Sequence, residues 1–395
     1  MTQHDVFSCH ACGAPLEIVP GLESLGLVSS DCRPWSGLRR LARCPACGLL
    51  QKVVDQDFLE DCDRIYQSYA VYHQAGGCEQ CVFGTDGAAC ARSERLLRQL
   101  LERWPLPSSG RMLDVGCGNG VLLRSFGALL PGWRLNGLDL DGRSRETVLA
   151  LPGAEAFFSC DLSEVPGRFG MLSMMHCLEH VPDPAFFLRK AHAALDENGL
   201  LLVQCPDFTA NPFDLSIADH CSHFTVASLG ALAKDAGFDI LVLENNVVPK
   251  ELTLLAQRRT SSSLDRARPQ DVEDSTPDAL RALEWLKAVL REAWHVSETA
   301  GPNFGVFGTS IGGAWLFGQL RERIHFFVDE DANRVGRLLF ERPVLRPDQV
   351  PEDASVFLCL PAPVAQGIAT RLADDHCGRL VRPPDFPLPS PSTRC

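Results

Sequence analysis

No stretch of this sequence approaches the roughly 20 apolar residues that span a bilayer, and the first nine residues hold no apolar run of the kind that opens a secretory signal. A cytoplasmic protein is expected. Basic residues are also in short supply: 37 Lys and Arg stand against 50 Asp and Glu, a formal charge of −13 with no Lys/Arg stripe. A chain so charged is poorly built to hold a phosphate backbone or an anionic membrane, so neither nucleic acid nor membrane is expected as a partner. Tyrosine is rarer still. The three in 395 residues, Tyr66, Tyr69 and Tyr72, fall within seven positions. Cysteine, by contrast, is abundant at 17, and in a reducing compartment such residues are metal ligands and buried thiols rather than disulfides. The length allows two or three domains, and a hydrophobic content of 45% is that of an ordinary globular protein.

The run Leu113-Asp114-Val115-Gly116-Cys117-Gly118-Asn119-Gly120 reads as a strand ending in a tight glycine turn that opens a helix. Glycines accept the positive φ of such turns and let the backbone approach a ligand. The next apolar run, residues 133–139, ends at Asp139, about twenty residues on, where a carboxylate can accept both ribose hydroxyls. The spacing is Rossmann-like, but the pattern is not G-x-G-x-x-G. Asp114 would repel a pyrophosphate, whereas it attracts the sulfonium and ammonium of S-adenosylmethionine (SAM). The turn therefore resembles motif I of the class I SAM-dependent methyltransferases. The other reading is a glycine turn in an inert α/β protein.

Residues 92–257 alternate as a doubly wound parallel sheet does. Helices are expected over 92–103, 184–195 and 226–236. Strands are expected at 112–115, ending at 139, at 156–158, 169–175 and 200–203, with a terminal antiparallel pair at 237–242 and 251–256. Ligands of such sheets lie beyond the carboxyl ends of the strands. The resemblance then implies that the cofactor is held by Asp114, Gly116, Cys117, Gly118, Asp139 and Leu140, by Asp161 and Leu162 at the adenine, and by His176.

Residues 1–60 hold Cys9-His10-Ala11-Cys12-Gly13 and Cys44-Pro45-Ala46-Cys47-Gly48, two C-x-x-C-G knuckles 31 residues apart. Together they supply the four thiolates of a closed, structural zinc site at Cys9, Cys12, Cys44 and Cys47. Unmetallated turns, or iron, are the other readings. Cys32 and His10 are surplus, and Cys78, Cys81 and Cys90 lack a second pair to complete a set. A connector, 61–91, carries the tyrosines, which either pack against the next domain or enter the mouth of the site. A polar linker, 258–277, leads to a helix over 278–297 and a smaller Rossmann-like unit spanning 278–381. The end, 382–395, is Pro-rich and expected to be disordered. Gly308-Thr309-Ser310-Ile311-Gly312 matches the G-x-S-x-G nucleophile elbow, but under ninety residues follow it, too few for a hydrolase sheet. It reads better as a Rossmann-like turn with Asp329 as acidic partner.

The fold expected is thus α/β, with an N-terminal zinc-binding module, a central class I SAM methyltransferase sheet over 92–257 and a C-terminal Rossmann-like domain. This order of blocks resembles the zinc-containing sugar C-methyltransferases of deoxysugar pathways. The resemblance is carried by residues 44–51, by Tyr69-Ala70-Val71-Tyr72-His73, by the glycine turn, by Cys177-Leu178-Glu179-His180-Val181 and by Asp219-His220-Cys221-Ser222-His223-Phe224-Thr225. It implies a nucleotide-linked sugar as acceptor, and His220 as the base that removes a proton beside a ketone so that the enolate carbon attacks the SAM methyl. Asp219 would tune His220, and Tyr72 would donate to the enolate oxygen. The family often reads Tyr-His where this chain has Ile217-Ala218, which leaves transfer to an oxygen or nitrogen open. A zinc-containing RNA methyltransferase is disfavoured by the acidic charge. A non-catalytic scaffold would show eroded ligand residues, and none is visible. Neither the methylated atom nor the oligomeric state is encoded in a motif.

Overall fold

The computed structural model describes residues 7–70, 75–79, 81–83, 89–259, 274–373 and 378–386. Its central sheet has seven strands: β1 (Gly110–Val115), β2 (Trp133–Leu138), β3 (Ala154–Phe158), β4 (Phe169–Met175), β5 (Leu195–Pro206), β6 (Phe238–Glu244) and β7 (Glu251–Arg258). They lie in the order β3-β2-β1-β4-β5-β7-β6, with β7 antiparallel to both neighbours and β1 to β5 parallel. The order reverses between β1 and β4. That switch point is where open α/β sheets bind ligands, beyond the carboxyl ends of the strands.

Side chains alternate between two cores, as the pleat requires. Met112 and Met171 join Leu96, Leu123 and Phe126 on one face, while Leu113, Val115, Leu172 and Met174 join Leu188, Leu229 and Phe238 on the other. Helices on both faces explain why β5 reads as a nearly continuous apolar run. Their starts are set locally. Asp183 caps Pro184–Ala194 by accepting from Phe186 N, and Thr225 with Ser228 forms a capping box at Val226–Asp235.

The N-terminal strands Glu17–Val19, Leu41–Arg43 and Leu50–Lys52 form an antiparallel sheet whose fourth strand, Ser222–His223, comes from the segment after β5. The N-terminal module therefore closes on the central unit through backbone hydrogen bonds. The C-terminal unit begins with the helix Thr276–Ala300 and continues as a six-stranded sheet in which Phe304–Phe307, Phe326–Val328, Arg342–Leu345, Ser355–Leu358 and Arg379–Val381 run parallel. One core joins the blocks: Val28, Leu41, Phe213, Ile217, Trp285, Trp315 and Phe327 all belong to it.

Most of the polar linker lies outside the described residues, as do 387–395. The start of the expected disordered tail is instead docked, with Pro384 O accepting from Trp285 Nε1 at 2.8 Å and Phe386 edge-on to the same indole. The G-x-S-x-G sequence forms the turn between Phe304–Phe307 and the helix Ile311–Leu320. Thr309 N and Oγ1 donate to Asp329 Oδ2 at 3.2 and 2.5 Å, and Ser310 Oγ accepts from Arg334 at 2.9 Å. A Cβ on Gly312 would lie 2.3 Å from Cys359 O, so glycine here serves close helix packing. Among the described residues, no helix is long and apolar enough to cross a membrane.

Candidate active site

The glycine turn follows β1, with Gly116, Gly118 and Gly120 at φ values of +72°, +49° and +78°. Positive φ at three positions aims backbone toward the space above the sheet. Asp139 sits across the turn, its Oδ2 accepting from Gly118 N at 2.8 Å and its Oδ1 from Asp141 N at 2.9 Å. Burial raises its pKa, against those two hydrogen bonds. Leu140, which follows Asp139, is 86% exposed.

Three of the expected cofactor residues, Asp114, Cys117 and Leu162, have buried side chains. Asp114 is 2% exposed behind the turn, where Ser173 Oγ donates to it at 2.6 Å. Burial pushes its pKa up to about 7, against the Ser173 hydrogen bond. Cys117 is buried, and its sulfur packs against Gly137, which leaves only its backbone at the turn. Leu162 belongs to the core. Asp161 beside it is exposed but already engaged: Lys190 Nζ lies 2.6 Å away, and Ser163 donates through N and Oγ. Lys190 first, then Ser163, holds Asp161 down at about 2.

His176 follows β4 at φ +50°, with Nε2 3.2 Å from Glu251 Oε2 and Nδ1 3.4 Å from Glu179 Oε1. Burial lowers its pKa and favours the neutral ring.

The second half of the site is the segment after β5. His220 Nδ1 donates to Asp214 Oδ1 at 2.7 Å, and His223 Nδ1 donates to Asp214 Oδ2 at 2.5 Å. Burial alone would raise Asp214, but the two imidazoles hold it below the usual carboxylate range. Burial lowers His223 to about 4 and Lys52 to about 8. Lys52 Nζ, 3.3 Å from His223 Nε2, also donates to the carbonyls of Ile217 and, at 3.0 Å, His220.

Asp219, expected to tune His220, interacts with it through charge but makes no hydrogen bond to its ring among the described residues. Asp219 instead accepts from Ser30 N at 2.9 Å and Ser30 Oγ at 2.5 Å, and lies 3.4 Å from His180 Nδ1. Two neighbours on the chain leave it in different directions, and the carboxylate that meets His220 comes from the short helix Pro212–Ser216. Tyr72 lies outside the described residues. Tyr66 reaches the site, its hydroxyl 3.1 Å from His180 Nδ1, and the His180 and His220 rings meet edge to face at 4.5 Å. Glu179, which sequence reasoning passed over, is buried beside them.

The four knuckle thiols converge. Their sulfurs lie within 4.8 Å of one another, with Cys9–Cys47 at 3.7 Å and Cys12–Cys44 at 3.4 Å. The two knuckles match: Gly13 and Gly48 have φ of +77° and +74° and donate to Cys9 O and Cys44 O at 2.8 and 2.9 Å. Gln51 Nε2 and Ala11 N point at Cys9 Sγ from 3.1 and 3.4 Å, donors suited to a thiolate. Cys32 packs in the core, and His10 Nε2 is 2.9 Å from Ser222 Oγ, so neither joins the set. Among the described residues, Cys78 and Cys90 assemble no such group.

Residues 89–243 match the family described as a methyltransferase domain. The chain carries a methyltransferase domain. Its similarity to the ubiquinone biosynthesis O-methyltransferase of Bordetella parapertussis is 38% identity over 101 residues, 23% of this chain and 40% of the relative. The enzyme of the same name from Pseudomonas syringae pv. tomato is 27% identical over 170 residues, 36% of this chain and 72% of the relative. The chain thus spans about 40% of the length of the Bordetella relative, and both matches leave most of this chain uncovered. Among solved structures, the 1,6-didemethyltoxoflavin-N1-methyltransferase of Burkholderia thailandensis is similar with a TM-score of 0.39 and 19% identity, over 57% of this chain and 97% of that one.

Proposed function

We propose that the protein is a SAM-dependent methyltransferase whose acceptor is a small nucleotide-linked sugar, methylated on the carbon beside a ketone with His220 as base. The observation that carries this is the His220–Asp214 hydrogen bond. An ionised carboxylate can only accept, so Nδ1 carries the proton and Nε2 keeps the lone pair that removes one from an acceptor.

The glycine turn and Asp139 fit SAM. The backbone approaches closely at Gly116 and Gly118, Asp139 is placed for ribose hydroxyls, and Asp114 lends negative potential to a cationic ligand. When bound there, SAM supplies an electrophilic methyl group. The chain's own work is to hold the acceptor in line, to take the proton at His220 Nε2, and to place a donor near the enolate oxygen, a role for which the Tyr66 hydroxyl stands beside Tyr72 as a candidate. Four converging thiols with N–H donors fit a closed tetrahedral zinc, held by Cys9, Cys12, Cys44 and Cys47 and structural in role.

A cavity of about 780 Å³ in the C-terminal unit supports a phosphate-bearing acceptor: Arg33, Arg334 and Arg337 line it together with Thr309 and Phe340. It is tied to both halves of the site. Arg33 is three residues from Ser30, which binds Asp219. Arg337 lies against Gly76, whose neighbour Gly77 accepts from Asn119 of the cofactor turn at 2.7 Å. A second reading, O-methylation, draws on the relatives named ubiquinone biosynthesis O-methyltransferase; the same imidazole would then deprotonate a hydroxyl.

The test is a panel of nucleotide-linked keto sugars incubated with SAM, with the product methyl located by NMR. A C-methyl product, with acceptor hydrogen exchanged into deuterated solvent by wild type and not by His220→Ala, is expected. A methyl on oxygen, or exchange that survives His220→Ala, overturns the enolate route.

A further inference from the structure

Glu179 is 1% exposed, and neither of its carboxylate oxygens has a hydrogen-bond partner among the described residues; its ion-pair neighbour is His176 Nδ1 at 3.4 Å. A buried carboxylate without donors is costly unless a proton or a cation meets it. Its backbone, in contrast, is fixed, since Glu179 O accepts from Cys221 N at 2.9 Å. The turn bearing Glu179 and His180 is thus locked to the segment bearing His220.

A ring nitrogen of His180, a ring nitrogen of His220 and an oxygen of Glu179 lie within 4.8 Å of one another. On each ring, Nδ1 is held from behind: His220 by Asp214 at 2.7 Å, and His180 by the Asp219 carbonyl at 3.1 Å with Asp219 Oδ2 at 3.4 Å. Metal-ligating histidines are oriented in this way, with the second nitrogen on a carboxylate or carbonyl and the ligating lone pair facing forward. Two imidazoles and one carboxylate make up the protein ligands of open zinc sites, and imidazole selects transition metals over magnesium or calcium.

We propose that Glu179, His180 and His220 form a second, open site for a divalent cation of the zinc class, separate from the four thiols. Three protein ligands leave a fourth position facing the acceptor space. The site goes beyond the reading of His220 as base, and the two compete. One lone pair cannot hold a metal and take a proton, so loading this site inhibits proton removal and a chelator restores it.

The experiment is a cobalt(II) titration, followed by absorption, of the full chain stripped of metal and given back one equivalent of zinc, which the four thiols take first. One equivalent with weak visible d–d bands, and without the near-ultraviolet charge transfer of thiolate ligands, is expected. Glu179→Gln and His180→Ala should lose that equivalent while still binding S-adenosylhomocysteine, which reports an intact fold. Asp214→Asn, which removes only the carboxylate behind His220, should weaken cobalt on the order of 10–100-fold. Uptake seen only as thiolate charge transfer, or unchanged uptake by both ligand variants, overturns the site. Cobalt binding by a chain whose His220→Ala variant stays active would sink the base and leave the site standing. No cobalt binding together with an inactive His220→Ala would do the reverse.

Discussion

Gln51 faces Ser222 across the antiparallel pair that joins the N-terminal sheet to the central unit, while its side-chain amide donates to Cys9 Sγ at 3.1 Å. One residue thus touches the thiol cluster with its side chain and the histidine segment with its backbone. His10, next to Cys9, repeats the link: its backbone N donates to Gln51 Oε1 at 3.1 Å and its Nε2 is 2.9 Å from Ser222 Oγ. The strand continues to Lys52, whose ammonium holds the carbonyls of Ile217 and His220. The cysteine module is therefore joined to the segment bearing His220 by a strand pair and by side-chain hydrogen bonds.

If the four thiols hold zinc, Cys44→Ser should release it, because a closed structural site depends on all four thiolates. Metal analysis is expected to fall by one equivalent per chain. Hydrogen exchange over 217–225 should rise with it, whereas exchange in β1 and β4 should not. A variant that does not lose that equivalent contradicts the assignment, and one that loses zinc with no change over 217–225 contradicts the coupling.

Asp214→Asn keeps the shape of the side chain and removes the charge that fixes two imidazoles. If His220 is the base, the wrong tautomer becomes available and turnover should fall about 10²–10⁴-fold, with S-adenosylhomocysteine affinity retained. Asp219→Asn should cost less, since Asp219 bonds Ser30 and approaches His180 rather than His220. The comparison of kcat for the two variants checks this, and the reverse order would restore the neighbour expected from the sequence.

That the hydrogen-bond partner of His220 was not legible in the sequence has a physical cause. The strands around the glycine turn were legible because each is a period-2 or continuous apolar run, and the helix Arg92–Arg103 because its leucines recur on one face. The knuckles were legible because four ligands at fixed spacing leave few alternatives. The histidine segment carries no period: Asp214 lies six residues before His220 on a single 3-10 turn, and the strand Ser222–His223 is two residues long. Only the fold brings Asp214 under His220. Of the tyrosine cluster, Tyr66 on the helix Gln56–Gln67 brings its hydroxyl to His180, while Tyr72 lies outside the described residues.

SAM affinity should rise with pH. Burial raises the folded pKa of Asp114 to about 7, far above its unfolded value, so between about pH 4 and 7 the folded state holds a proton that the unfolded state has released. The stability from this group is full at low pH and is lost as pH rises through 7. A bound sulfonium favours the ionised carboxylate, so binding releases a proton and tightens as pH rises toward 7. Calorimetry in two buffers of different ionisation enthalpy should detect that proton at pH 6, and Asp114→Asn should abolish it. Equal proton release by the variant would move the effect to Asp139, whose pKa is also raised.

The arginine-lined cavity makes the last prediction about which part of the acceptor it holds. Arg334 is buried and already bonded to Thr309 and Ser310 at 2.9 Å, so removing it disturbs the turn itself. Arg337 is the cleaner probe, because Nε donates to Asn333 O at 2.7 Å while its guanidinium lies against Gly76 at the cavity edge. A charged hydrogen bond contributes about 1.5–3 kcal/mol, so Arg337→Ala should raise KM for a nucleotide-linked acceptor roughly 10–150-fold with little change in kcat. The same variant should treat a free sugar lacking phosphate as wild type does, because the lost contact is to phosphate alone. Steady-state kinetics on the matched pair of acceptors decides it. Equal effects on both would mean that Arg337 supports the fold around Gly76 rather than an anionic acceptor, and the cavity would no longer argue for a nucleotide.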